Sequence, residues 1–120
     1  MDVRRELGPG LLEAVYEECL CYELSCRQLQ FERQKPIAVV YKGAKLDCGY
    51  RADIVVGNRV IVEIKAISAV APVHDAVMLT YLRLSGCKIG LLINFYSPVL
   101  KDGIKRYVWH YTPDGSQKET

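Results

Sequence analysis

The amino-acid sequence predicts an α/β protein with a mixed sheet, its elements following the order αβββαββ. Apolar residues recur at helical spacing from Leu11 to about Gln28, and again from Val73 to Ser85. Short apolar runs at 50–56, 60–66 and 89–95 are typical of strands. The last run is apolar throughout, as in strands that are buried on both faces of a sheet. Two helices around such strands indicate an α/β or α+β fold.

Glycine and proline mark the ends of the predicted elements. Pro9 suits the first turn of the first helix, and the second helix lies between Pro72 and Gly86. We expect Pro36 to open the first strand, Ile37–Tyr41, which ends at Lys42-Gly43. The remaining strands are predicted at Tyr50–Val56, Val60–Ala66, Ile89–Phe95 and Ile104–Tyr111, followed by a polar, frayed tail at 113–120.

Length and composition fit one globular domain over residues 1–120. Half of the residues are hydrophobic and a quarter are charged, so a core can form without disulfides. The five cysteines are odd in number and lack C-x-x-C spacing, which predicts neither a zinc site nor a disulfide framework. No apolar run is long enough for a membrane helix or a signal peptide, so we expect a cytoplasmic protein without a membrane partner. The net charge of +2 neither favours nor excludes a nucleic-acid partner.

The chemistry-bearing residues fall on the central hairpin. Glu63 and Lys65 are two apart on a strand and therefore share one face. When the apolar faces of the two strands are aligned, Ile54 pairs with Val62 and Asp53 lies opposite Glu63. Opposed residues have Cβ atoms ~5 Å apart, which is close enough for two carboxylates to share a cation.

The turn between these strands allows a second register. Gly57-Asn58 favours a two-residue loop, which would pair position 56 with 59 and turn Asp53 to the other face. That slip would mix every charged position with the core, so the face pattern predicts a three-residue loop or a bulge.

Two carboxylates beside a lysine are suited to phosphodiester hydrolysis. Carboxylates bind Mg²⁺ or Mn²⁺, which activate water and neutralise charge on the phosphate. A lysine can hold the attacking water and stabilise negative charge in the transition state. The spacing alone is a loose pattern, since charges on alternating strand positions also occur on an ordinary solvated face.

Gly10, Glu13 and Tyr16 form a Gly-x-x-Glu-x-x-Tyr motif. This motif resembles the signature of the GxxExxY protein family, a branch of the PD-(D/E)XK nuclease superfamily. The resemblance is collinear from about residue 3 to residue 108 and includes Phe31-Glu32-Arg33-Gln34, Tyr41-Lys42-Gly43, Gly49-Tyr50-Arg51-Ala52-Asp53, Val62-Glu63-Ile64-Lys65-Ala66, His74-Asp75-Ala76, Tyr81-Leu82, Gly90-Leu91-Leu92-Ile93-Asn94-Phe95 and Gly103-Ile104-Lys105-Arg106.

The resemblance implies a PD-(D/E)XK nuclease-like core and a role for each candidate residue. Asp53 and Glu63 would bind Mg or Mn, Lys65 would serve the attacking water, and Glu13 would add a catalytic carboxylate from the first helix. The residues that would contact the substrate are Tyr16, Arg51 and Tyr81.

The sequence departs from the family pattern at two places. The family carries glutamine three positions after the histidine of the second helix, where this chain has Val77, although Tyr81 is retained. Valine cannot hydrogen-bond a phosphate or a bound water. Arg4 stands where the family has the histidine that ends an additional helical stretch before Leu7-Gly8-Pro9-Gly10. If that stretch is incomplete, it leaves apolar surface that a second subunit would cover. We therefore expect a homo-oligomer.

The leading hypothesis is therefore a Mg- or Mn-dependent nuclease whose partner is nucleic acid, with DNA as the first choice. A nucleic-acid-binding module that kept the fold and lost turnover is the alternative that Val77 raises. The third hypothesis is a structural or oligomerising protein with an acidic surface hairpin.

Overall fold

A computed structural model describes residues 12–111 and 117–119. The helices are α1 (Glu13–Cys26) and α2 (Pro72–Ser85), and a 3₁₀ turn spans Leu100–Gly103. The strands are β1 (Phe31–Pro36), β2 (Val39–Tyr41), β3 (Ala44–Leu46), β4 (Arg51–Val56), β5 (Val60–Lys65), β6 (Ile89–Asn94), β7 (Ile104–Tyr111) and β8 (Gln117–Glu119). Six of these strands form a mixed sheet in the order β1-β4-β5-β6-β7-β8.

The two helices cover opposite faces of the sheet, and each face has its own apolar core. The first core packs Tyr16 and Leu20 of α1 against Ile54, Val62 and neighbouring strand residues. The second core packs Met78 and Leu82 of α2 against the other face of the sheet. β5 and β6 are parallel because α2 crosses over between them, and this element order confirms the predicted mixed α/β fold.

The predicted ends of α2 are confirmed. Pro72 is the first helical residue, and His74 Nδ1 accepts a hydrogen bond from the Ala71 N–H at 2.8 Å. Gly86 closes the helix in the left-handed conformation at φ 81°, which glycine adopts without a steric penalty. His74 therefore caps the helix.

The prediction for the first strand is wrong. The strand that joins the main sheet is β1, which ends at Pro36 instead of opening there. β1 is an edge strand with mostly exposed, charged residues, so it lacks the apolar alternation that marks a half-buried strand. The predicted segment 37–41 instead enters a separate two-stranded hairpin, β2–β3, which the Lys42-Gly43 turn closes.

The hairpin of β4 and β5 has the predicted register. Ile54 pairs with Val62 and Val56 with Val60, so Gly57-Asn58-Arg59 is a three-residue loop. Asn58 takes the left-handed conformation at φ 56°, as asparagine tolerates in turns. The apolar face pattern was thus the stronger signal than the Gly-Asn dipeptide.

Several predictions concern the two ends of the chain. Gln117–Glu119 pair with Trp109–Tyr111, so this part of the tail is a strand and not frayed. Gly10, Pro9 and Arg4 lie outside the described residues, as does the remainder of the tail. Neither helix in the described part of the chain is both long and apolar enough to span a bilayer.

Candidate active site on the opened seam between β4 and β5

The β4 and β5 strands separate at Asp53 and Glu63, the two predicted metal ligands, and we term this gap the seam. In the seam, the side-chain carboxylates accept the backbone hydrogen bonds that carbonyl groups accept in a regular ladder. The Asp53 N–H donates to Glu63 Oε1 at 3.1 Å. The Ile64 N–H donates to Asp53 Oδ2 at 2.8 Å. Each carboxylate thereby accepts a hydrogen bond from the opposing backbone, and both are fixed in the seam.

The alternation of side chains in β4 breaks at Asp53. Ala52 and Val55 pack in the core beneath α2, whereas Ile54 packs in the core beneath α1. Ala52 and Ile54 are two apart and would share a face in a regular strand. The strand is therefore distorted at the point where Asp53 enters the seam.

Glu63 is the more buried of the pair, with only 7% of the residue exposed. Burial raises its pKa to about 8, and the nearby Asp53 carboxylate adds to the rise, while Lys65 acts in the opposite direction. A desolvated carboxylate next to a second one is unfavourable unless a proton or a cation compensates it. The seam therefore has the electrostatics of a cation site.

Lys65 and Glu13 lie together at the carboxyl end of β5. Glu13 Oε2 accepts a hydrogen bond from the Ala66 N–H at 2.9 Å, which brings the first turn of α1 to the residue after Lys65. Lys65 is partly buried, and its charge affects the Glu63 pKa. Asp53 and Glu63 thus lie together in the seam with Lys65 near Glu63, while Glu13 lies at the end of β5.

A second group of polar residues extends this site toward α1. Glu17 is only 8% exposed and accepts hydrogen bonds from Arg33 at 3.0 Å and Gln34 at 2.7 Å. The Gln34 amide also contacts Asp53 Oδ1 at 3.4 Å. The sequence reasoning missed Gln34 as a site residue, although it lies in the Phe31–Gln34 segment that carried part of the family resemblance.

Asn94 fixes the loop that follows Lys65. Its Nδ2 donates to the Ile67 carbonyl at 2.9 Å, and its Oδ1 accepts from the Ile67 N–H at 3.1 Å. Asn94 is 6% exposed and ends the apolar β6 strand. A polar residue at the end of a buried apolar run was the available sequence signal.

We expect Asn94→Ala to lower the free energy of unfolding by about 1–2 kcal/mol, since the partly buried N–H and C=O of Ile67 lose their side-chain partner. Urea denaturation measures this change. Gln30→Ala, which removes an exposed amide, is the control and should stay near wild type. Equal stability of Asn94→Ala and wild type would contradict this account of the loop.

The predicted substrate-contact residues have different surroundings. The Arg51 guanidinium pairs with Asp47 at 3.1 Å. Tyr81 is 8% exposed and meets the Tyr50 ring edge-on, with centroids 5.6 Å apart. Burial raises the Tyr81 pKa and the Glu63 charge adds to the rise, whereas a hydrogen bond with the Arg51 backbone opposes it. Tyr81 therefore borders the seam, although little of it is accessible.

Tyr16 does not have the position expected of a substrate contact. It is 0% exposed and stacks on Phe95, with ring centroids 4.3 Å apart. It lies one helical turn after Glu13 and one residue before Glu17, so its packing anchors the α1 turns that carry both carboxylates. Tyr16 is a core residue that positions α1.

Val77 occupies the helix position one turn before Tyr81. It is 37% exposed and belongs to neither apolar core. Its side chain offers no hydrogen bond at a place next to the site, as the sequence indicated. Val77 is thus a surface residue of α2 outside both apolar cores.

The donor set suits a hard divalent cation. Asp53 and Glu63 supply oxygen ligands, and their crowding in a desolvated seam is the condition that a cation relieves. Within the described residues, no three His, Cys, Asp or Glu side chains converge on one point. All five cysteines are free thiols in this structure.

A mixed sheet between helices, with two carboxylates and a lysine at its central hairpin, defines a nuclease-like α/β protein. A family model described as the PD-(D/E)XK nuclease superfamily matches residues 1–107. The chain belongs to the PD-(D/E)XK nuclease superfamily. Proteins of this superfamily generally use divalent metal ions and act on nucleic acid. No curated protein and no solved structure matches the chain.

Proposed function

We propose that this protein is a Mg²⁺- or Mn²⁺-dependent nuclease that hydrolyses phosphodiester bonds, with DNA as its substrate, and that it belongs to the GxxExxY branch of the superfamily. The opened seam carries this proposal. Asp53 and Glu63 face each other across it through hydrogen bonds of 3.1 and 2.8 Å, with Lys65 at the end of the same strand. Two adjacent carboxylates between inner strands, one of them buried, are unfavourable unless a proton or a cation compensates them.

Each residue of the site has a distinct role in this proposal. Asp53 and Glu63 would hold the cation, whose contribution is to acidify water and neutralise charge on the phosphate. Lys65 would orient the attacking water and stabilise the negative charge that develops as the P–O bond breaks. Glu13, held by the Ala66 N–H, would orient the water from the other side.

The test is a cleavage assay with single-stranded, duplex and branched DNA and with RNA of matched sequence. Each substrate is incubated with Mg²⁺, with Mn²⁺ and with EDTA. We expect metal-dependent cleavage of at least one DNA substrate and no cleavage in EDTA. Absence of both cleavage and Mn²⁺ binding would exclude the proposal and favour a structural or oligomerising protein.

Val77 favours a second candidate, a nucleic-acid-binding module that has lost turnover. Its exposed apolar side chain stands beside Tyr81, where an amide would help to orient a phosphate or a bound water. This candidate predicts Mn²⁺ and DNA binding without cleavage. Restoration of cleavage in Val77→Gln would then identify the lost group.

A nucleic-acid substrate also needs a surface outside the carboxylates, and the hairpin over residues 37–50, which we term the arm, has the required properties. The arm leaves the sheet where Pro36 pairs with Arg51, two residues from Asp53. Residues 40–50 are all exposed, and they include Lys42, Lys45 and a 60% exposed Tyr41. Lysines suit phosphates, and an exposed tyrosine suits a base or sugar.

We expect Lys42→Glu combined with Lys45→Glu to weaken DNA binding about 10-fold and to lower the dependence of affinity on salt. Fluorescence anisotropy at several salt concentrations measures both quantities. Lys88→Glu with Lys101→Glu makes the same change of charge outside the arm and should have a smaller effect. Equal losses in the two double variants would show that only net charge matters.

A further inference from the structure

Gln34 combines a strained backbone with a side chain that links two carboxylates. Its φ of 48° lies in the left-handed region, which a glutamine in a strand rarely adopts. Arg33 pairs with Ile54 and Lys35 with Ala52 on either side of it, so the distortion is confined to the Gln34 and Asp53 positions of the β1–β4 ladder. Strain of this kind persists where the surroundings impose it, and it occurs often at functional sites.

The side-chain amide makes contacts that a regular strand conformation would not provide. Gln34 Nε2 lies 2.7 Å from Glu17 Oε1 and 3.4 Å from Asp53 Oδ1. An amide NH₂ has two donors, one for each carboxylate. The Ile64 N–H donates a hydrogen bond to Asp53 Oδ2. The Gln34 amide contacts the other carboxylate oxygen, Asp53 Oδ1.

We propose that Gln34 is a positioning residue that sets the orientation of the Asp53 carboxylate and thereby the affinity of the site for its divalent cation. The inference rests on the proposed function, because it assumes that Asp53 is a ligand. Hydrogen bonds from outside groups orient ligand carboxylates, and their removal commonly weakens metal binding ~10- to 100-fold. Glu17 accepts a hydrogen bond from the amide and is itself held by Arg33.

The decisive variant is Gln34→Gly, because glycine accepts the left-handed backbone while the whole side chain, with its amide, is removed. Gln28→Gly is a closely matched control. Gln28 is also a glutamine with positive φ, 58°, but it follows the far end of α1. Both variants relieve the same backbone strain, and only Gln34 reaches a carboxylate of the site.

We expect both variants to melt within ~3 °C of the wild type or above it, since strain is relieved in each. The Mn²⁺ dissociation constant, measured by titration calorimetry, should rise ~10- to 100-fold in Gln34→Gly and stay unchanged in Gln28→Gly. In the metal-free protein, the Ile64 amide resonance should shift only in Gln34→Gly, because this N–H donates to Asp53.

Each contrary outcome has a definite meaning. Mn²⁺ binding by Gln34→Gly that equals wild-type binding would overturn the positioning role and leave the proposed function intact. Loss of folded structure in Gln34→Gly alone would show that the amide serves folding, which also overturns the role. A wild-type protein that binds no Mn²⁺ would overturn the proposed function itself. Gln34→Asn, which keeps an amide that is one methylene too short, should bind Mn²⁺ as weakly as Gln34→Gly.

Discussion

Asp53→Asn and Lys65→Ala should each lower metal-dependent DNA cleavage by ~10²- to 10³-fold, the range found when one group that stabilises transition-state charge is removed. Asparagine at position 53 keeps an oxygen that can accept the Ile64 N–H, while the charge that would bind the cation is lost. Alanine at position 65 removes the ammonium group and leaves the strand contacts in place, including the bond from the Phe95 N–H to the Lys65 carbonyl. Single-turnover cleavage under saturating metal measures both effects.

The two variants should differ in their binding of metal. Asp53→Asn is expected to lose Mn²⁺ affinity, whereas Lys65→Ala should keep it, since a lysine is not a ligand. Asp102→Asn and Lys88→Ala make the same chemical changes at exposed positions and should cleave like the wild type. Full activity of Lys65→Ala would remove this lysine from the proposed site.

The sequence predicted the hairpin that carries the site because its register depends on a repeated signal. Ile54, Val62 and Ile64 pack in the core beneath α1, and a slip by one residue would turn one strand's apolar residues away from that core, so the pattern outweighs the local turn preference. The pairing of Ile54 with Val62 confirms that prediction. Residues whose placement follows from this pattern could therefore be located without a structure.

The sequence did not predict β1 or Gln34, and the reason is physical. An edge strand with charged residues has no buried face to impose alternation, so Phe31–Pro36 shows no strand pattern. The left-handed backbone at Gln34 depends on tertiary contacts with Glu17 and Asp53, and no local propensity reports it. The same holds for Asp53, whose distortion places Ala52 and Ile54 in opposite cores.

The carboxylates in the seam lower the free energy of unfolding of the metal-free protein, because Glu63 is desolvated beside Asp53. Glu63 is almost fully buried beside Asp53, and the hydrogen bonds that fix the pair orient it without neutralising it. Natural sites commonly keep such destabilising groups when a ligand compensates them. In the proposed site, Glu63 would therefore link the stability of the protein to cation binding.

Glu63→Gln should stabilise the metal-free protein by an amount on the order of 3 kcal/mol at pH 8 and by little near pH 4. The folded-state pKa of about 8 exceeds the unfolded value of 4.5, so the folded protein binds the extra proton between these values. The free energy of unfolding of the wild type therefore falls as pH rises through this window, and glutamine, which does not titrate, lacks this contribution. The glutamine side chain of this variant can also keep an oxygen for the Asp53 N–H.

Urea denaturation of the wild type and of Glu63→Gln at several pH values, with and without Mn²⁺, measures how the free energy of unfolding depends on pH and on the cation. Mn²⁺ should stabilise the wild type, because the cation compensates the buried charge, and should have little effect on Glu63→Gln. Glu32→Gln, at an exposed position of β1, should follow the wild type under every condition. If Mn²⁺ stabilised Glu63→Gln as much as the wild type, Glu63 would not be a ligand, and the cation would have to be assigned to other carboxylates. If instead the metal-free variant were less stable than the wild type at pH 8, the bond from Asp53 to Glu63 would outweigh the cost of the buried charge.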